Sequence, residues 1–125
     1  SNAGTIELRR ELSRYMLRRF DLSYKPETEL MITVGGSEAI DIAMRCMLDE
    51  GDEVLIPQPS YVCYEPIVRL AGGVPVIINT KAENGYKMTA EELENAITDK
   101  TTTIMLNSPS NPTGALYSEE ELIAL

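Results

Sequence analysis

EVLIPQPSYVCYEPIVRLAGGVPVIIN, residues 53–79, reads as strand, helix, strand. Residues 53–57 and 74–79 are apolar nearly throughout, the pattern of strands buried on both faces. Between them, residues 61–71 carry helical spacing and stop at Gly72-Gly73. A strand, a crossover helix and a second buried strand form the unit from which parallel sheets are built, with right-handed connections expected.

The alternation extends both ways from this unit. Upstream, residues 30–34 form a short apolar run that meets Gly35-Gly36. Helical spacing follows through Ile40, Ala43, Met44, Met47 and Leu48, giving a helix over 37–48 before the Gly51-Asp52 turn. Further back, Leu8, Leu12, Tyr15, Met16 and Phe20 mark an amphipathic helix over 5–20, with Arg9, Arg10, Arg14 and Arg18 on its other faces. Ser1-Asn2-Ala3 is either an expression scar or native chain, and carries no weight in the fold. Downstream, Thr89 and Glu92 form a capping box that opens a helix over 89–97, residues 101–107 are a fourth strand, and Ser118 begins another helix. The acidic run Glu119, Glu120, Glu121 suits the positive end of that helix. The fold class is therefore α/β, a mostly parallel sheet with helices on both faces. Such sheets bind ligands beyond the carboxyl ends of their strands, which places residues 35–38, 58–61 and 107–114 on one expected rim. The chain stops about two turns into its last helix, which reads as truncation.

Composition narrows the function. Eleven basic residues against 20 acidic ones give a net charge of −9, which disfavours a nucleic-acid surface. No run approaches the ~18 apolar residues of a membrane span and no basic stretch precedes an apolar run as in a signal peptide, so the cytoplasm is the compartment expected by default. Histidine is absent, which removes serine- and cysteine-hydrolase triads and the commonest metal ligand. Cys46 and Cys63 lie in predicted helical segments outside any C-x-x-C pattern and read as reduced core thiols, not metal ligands.

Three stations carry chemistry. Val34-Gly35-Gly36-Ser37-Glu38-Ala39 joins a strand end to a helix start, where free N–H groups and the helix dipole favour a phosphate; an ordinary Gly-Gly turn with a serine cap has the same pattern. Glu38 counts against an anion unless its side chain turns away. Pro59-Ser60-Tyr61 puts an aromatic ring at the rim, able to stack on a flat ligand, although Tyr61 and Tyr64 also fit the half-buried face of a plain helix. Asn107-Ser108-Pro109-Ser110-Asn111-Pro112-Thr113-Gly114 is a loop stiffened by two prolines that presents the Asn111 amide in a fixed direction; a plain Asn-Pro turn is the alternative.

In this order and at this spacing the stations resemble the fold-type I pyridoxal-phosphate-dependent aminotransferases of class I/II, which are aspartate aminotransferase-like. The likeness runs from Gly4 to the last residue. It includes Gly4-Thr5-Ile6-Glu7-Leu8-Arg9, Gly51-Asp52-Glu53-Val54 and Ala71-Gly72-Gly73 as well as the stations. It implies that residues 4–125 are the N-terminal part of the cofactor-binding large domain, truncated at its C-terminus.

Carried over residue by residue, the resemblance implies that Gly36, Ser37 and Glu38 hold the phosphate of pyridoxal 5'-phosphate. It implies that Tyr61 stacks on the pyridine ring and that Asn111 hydrogen-bonds the phenolic oxygen, with a cis Asn111–Pro112 peptide. The Schiff-base lysine, the aspartate on the pyridine nitrogen, a further tyrosine and two arginines fall beyond the chain in the family, so no catalytic residue is expected here. Lys25, Lys81, Lys87 and Lys100 lie outside the family's lysine context and read as surface charges. The tyrosine lent to a neighbouring subunit is missing too. The implied parent is a homodimeric transferase of amino groups between an amino acid and a 2-oxo acid; a lyase on the same fold, or the ligand-sensing domain of a transcription regulator, are the alternatives. The piece itself is expected to be inactive, to bind phosphate weakly if at all, and to self-associate through faces meant for missing partners.

Overall fold

The computed structural model describes residues 2–125. They divide into two compact units, the first ending at Ala39 and the second running from Ile40 to Leu125.

In the first unit, helix α1 (Ile6–Phe20) is capped by Thr5, whose side chain accepts the Leu8 N–H at 3.4 Å. It ends where Asp21 adopts a left-handed conformation (φ 57°) and returns its N–H to the Leu17 carbonyl. One face of α1 holds the following segment: Arg9, which is buried, donates from Nη1 to the carbonyls of Pro26 (2.9 Å) and Glu27 (3.3 Å), and Ser13 donates to that of Tyr24 at 2.6 Å. Gly4 (φ 84°) lets the chain pass against Ile32, where an added Cβ would lie 2.7 Å from the isoleucine Cβ. Residues 30–34, expected as a strand, are not one. Ile32 donates to the Ala3 carbonyl at 3.1 Å, but no ladder forms among the described residues, and a strand persists only where a neighbour bonds it in register. Helix α2 (Gly36–Met47) starts in this unit and continues into the second.

In the second unit, β1 (Glu53–Gln58), β2 (Val74–Asn79) and β3 (Thr101–Ile104) form a parallel sheet of order β2-β1-β3. Helices α3 (Tyr64–Leu70), α4 (Ala90–Ala96) and α5 (Glu119–Ala124) complete it. Because successive strand residues point to opposite faces, β1 serves two cores at once. Val54 and Ile56, both 0% exposed, pack with Met44, Leu48, Ile67 and Val68; Leu55, at 1%, packs with Ile78 and Met88 on the other face, where Leu93 and Ala96 join. Helices thus cover both faces, as the unbroken apolar strands require, each buried aliphatic side chain contributing about 1.5–3 kcal/mol. Among the glycines of this unit, Gly73 is the most tightly packed: an added Cβ would sit 2.9 Å from Leu48 Cδ1 and 3.0 Å from Val68 Cγ1.

The fourth expected strand is shorter than 101–107, and β1 explains why. Glu53 donates to the Lys100 carbonyl at 2.8 Å and Leu55 accepts from Met105 N–H at 2.9 Å, so residues 53 and 55 face β3. The next residue in that alternation is Pro57, which has no N–H to offer β3, so a rung is lost where the strand ends. Helix α3 starts at Tyr64, leaving Tyr61 in the preceding loop, not in the helix expected over 61–71. Both cysteines are free thiols, but Cys46 is exposed and Cys63 only half-buried beside the core, so the expected core placement fails for Cys46. Among the described residues no helix is long and apolar enough to cross a membrane, and no cluster of three metal-binding side chains occurs.

Candidate functional site

The first station, residues 34–39, lies in the first unit. Gly35 has φ 84°, a conformation open to glycine, and its carbonyl accepts from Thr33 Oγ1 at 3.0 Å and from Ala39 N–H at 3.5 Å. That last bond is the first rung of α2, so the N–H groups of Gly36, Ser37 and Glu38 precede the helical ladder. They sit at the positive end of the helix dipole, where an anion is favoured. Gly36 has no positive φ, and a Cβ added there meets nothing within 4 Å, so the chain's own packing does not demand a glycine. The Glu38 carboxylate accepts a hydrogen bond from Val34 N–H, which turns it back toward residue 34 without removing its charge.

The other two stations lie in the second unit. Tyr61 is half-buried and meets Tyr64 edge to face, ring centres 5.7 Å apart at 77°. With Gln58, Pro59, Ser60, Val62 and Glu65 it lines an open cleft of about 360 Å³. The 107–114 loop closes on itself: Ser110 N–H donates to Ala115 and Gly114 N–H to Ser110, both at 2.8 Å, with Gly114 at φ 74°. The Asn111–Pro112 peptide is cis, as are Gln58–Pro59 and Ser108–Pro109. Asn111 is exposed, and its side chain bonds to none of the described residues, leaving both N–H donors and the carbonyl available.

Two of the three expected rim segments do meet. Pro59 and Ser60 line a narrow cleft together with Asn107 and Ser110, at the carboxyl ends of β1 and β3. At about 20 Å³ it has room for roughly one water. Tyr61 lines a different cleft from Ser110, and residues 35–38 belong to the first unit. Sequence reasoning passed over Tyr117, which is buried between the loop and α5. Its N–H donates to Ser108 Oγ at 3.1 Å, and its hydroxyl accepts the Met88 N–H at 2.7 Å. A lone aromatic between a proline-rich loop and a helix cap was the available signal. Lys87, read as a surface charge, is half-buried and paired with Glu121. That ammonium, together with Ser118 N–H, holds the Glu121 carboxyl below its ordinary range.

Comparison with known proteins gives a consistent result. The family model described as aminotransferase class I and II matches residues 1–125. The chain is 54% identical over 122 residues to YugH of Bacillus subtilis, covering 98% of this chain and 32% of that protein. It is 46% identical over 121 residues to the aspartate aminotransferase of Bacillus sp. YM-2, covering 97% and 31%. The crystal structure of the aromatic aminotransferase of Pyrococcus horikoshii OT3 superposes with a TM-score of 0.91 at 38% identity, over 98% of this chain and 33% of that one. The chain spans about a third of the length of the relatives it matches.

Proposed function

This chain belongs to the aminotransferase class I and II family, and from that membership we propose that residues 4–125 are the N-terminal part of the large domain of a pyridoxal-phosphate transferase. The full-length enzyme moves an amino group between an amino acid and a 2-oxo acid. A homodimer in the cytoplasm, working in amino acid metabolism, belongs to the same proposal.

The residues present fit the cofactor. The observation that carries the reading is Gly36: a glycine that packing does not require opens α2 onto free space, at the helix end where N–H groups and dipole favour phosphate. Its N–H and those of Ser37 and Glu38 would hold the phosphate, the Glu38 carboxylate being bonded to Val34 N–H. Tyr61 offers a half-buried ring for stacking on a pyridine. Asn111 offers a donor for the phenolic oxygen, and a hydrogen bond donated to an oxyanion favours its ionised form. Pyridoxal phosphate, when bound, supplies the electron sink of the reaction. These residues bind and orient; none holds or carries the substrate proton. The chain alone is therefore inactive in this reading, since no lysine here stands in the family's covalent position.

The test is the absorption spectrum of the full-length enzyme with pyridoxal phosphate, before and after a panel of amino acids, with ammonia assayed. A cofactor band converted by an amino acid without ammonia supports the transferase. Ammonia release moves the reading to a lyase, and the absence of any cofactor band overturns it in favour of a sensor. Amino-group transfer by residues 1–125 alone would refute the inactivity.

A further inference from the structure

Asn111 is useful as a donor only if it is held still, and nothing in its own surroundings holds it. It is exposed, and the two bonds that close its loop, Ser110 to Ala115 and Gly114 to Ser110, fix the loop's shape without fixing its place. The tie to the core runs elsewhere. Ser108 Oγ accepts the N–H of Tyr117, and the Tyr117 hydroxyl accepts the N–H of Met88 at 2.7 Å. Met88 is 3% exposed and packs with Leu55 of β1 and Ile78 of β2, so this route leads from the loop to the sheet through one phenol. A phenyl ring of the same shape would fill the space and leave the buried Met88 N–H without an acceptor, a strongly disfavoured state. The hydroxyl at this position thus does what packing alone does not.

We propose that Tyr117 is a positioning residue for Asn111, its buried hydroxyl and its N–H locking the asparagine loop to the sheet. The inference rests on the functional reading above, in which Asn111 donates to the cofactor's phenolic oxygen. Loosening the lock weakens that bond and raises the pH at which the bound cofactor's chromophore titrates, because the ionised oxygen loses a donor.

The experiment uses the full-length enzyme loaded with pyridoxal phosphate, titrating the cofactor band in wild type, Asn111→Ala, Tyr117→Phe, Ser108→Ala and the Asn111→Ala/Tyr117→Phe double variant, with melting temperatures measured alongside. The expected result is a midpoint moved to higher pH in Asn111→Ala and moved the same way, by less, in Tyr117→Phe and Ser108→Ala. The double variant should match Asn111→Ala alone, because no asparagine is left to position. Ser108→Ala breaks the same tie without orphaning Met88 and serves if Tyr117→Phe does not fold. A melting temperature lowered by Tyr117→Phe and Ser108→Ala with an unmoved midpoint overturns the proposal, as does a full extra shift in the double variant. Absence of a cofactor band in wild type defeats the functional reading instead, and an unmoved midpoint in Asn111→Ala removes the asparagine's role and this inference with it.

Discussion

Replacing Gly36 by alanine separates what the fold needs from what a ligand needs. Gly36 is the first residue of α2, its φ is not left-handed, and a Cβ placed on it touches nothing within 4 Å. Alanine is a better helix former than glycine by about 0.5–1 kcal/mol, so the cofactor-free protein should be unchanged in stability or gain up to about that much. The neighbouring Gly35→Ala should instead lose about 1–2 kcal/mol, because φ 84° is a left-handed conformation that L side chains rarely adopt. Phosphate binding should respond in the opposite sense at Gly36. A methyl group in the space through which phosphate approaches the N–H groups should cost the equivalent of one hydrogen bond to a charged group, about 1.5–3 kcal/mol, or roughly tenfold to a hundredfold in affinity. Urea denaturation of the cofactor-free enzyme and the dissociation constant for pyridoxal phosphate in Gly36→Ala measure the two. An affinity within about twofold of wild type would show that no phosphate sits against Gly36, and a stability loss beyond about 1 kcal/mol would show that packing needs the glycine after all.

Gly73→Ala should destabilise by about 1–3 kcal/mol in urea, since the new Cβ meets Leu48 and Val68 and lies 3.2 Å from the Asp52 carbonyl that Val74 already holds; a loss below about 0.5 kcal/mol would mean that those side chains yield. The Glu121 carboxyl, depressed first by Lys87 and then by Ser118 N–H, stays charged in the fold to a lower pH than in the unfolded chain. Its cap should therefore be complete above the ordinary glutamate range and fail as pH falls through the lowered value, followed by the amide shifts of Ser118 and Glu121 and abolished in Glu121→Gln; titration of those amides in the ordinary range would refute it. Alkylation followed by mass spectrometry should label exposed Cys46 before half-buried Cys63, and the reverse order would contradict their placement.

The sequence was most legible where a side chain announces a backbone event. Thr89 with Glu92, and Ser118, mark the starts of α4 and α5, and both helices begin there with reciprocal caps. The start of α3 carries no such mark: Cys63 makes no side-chain cap, and Tyr61 and Tyr64 stand three apart, as on a continuous helix, so spacing alone sets the boundary too early and includes Tyr61. Residues 30–34 have a strand's composition, but pairing is a property of two segments, and one segment's residues do not reveal it. The candidate site residues stand in motifs legible in the sequence, while the support beneath Asn111 does not. The bond from Met88 to Tyr117 joins residues 29 apart and leaves no periodic trace.

Pro57 does more than shorten a strand. Beyond Leu55, β1 can offer no donor toward its neighbour, and Met105 and Leu106 on that side share with Pro57 the lining of the narrow cleft below Pro59, Ser60, Asn107 and Ser110. Proline's missing N–H removes one rung between the two strands at this point. A residue with an N–H at position 57 would restore one donor facing β3 at the floor of this cleft.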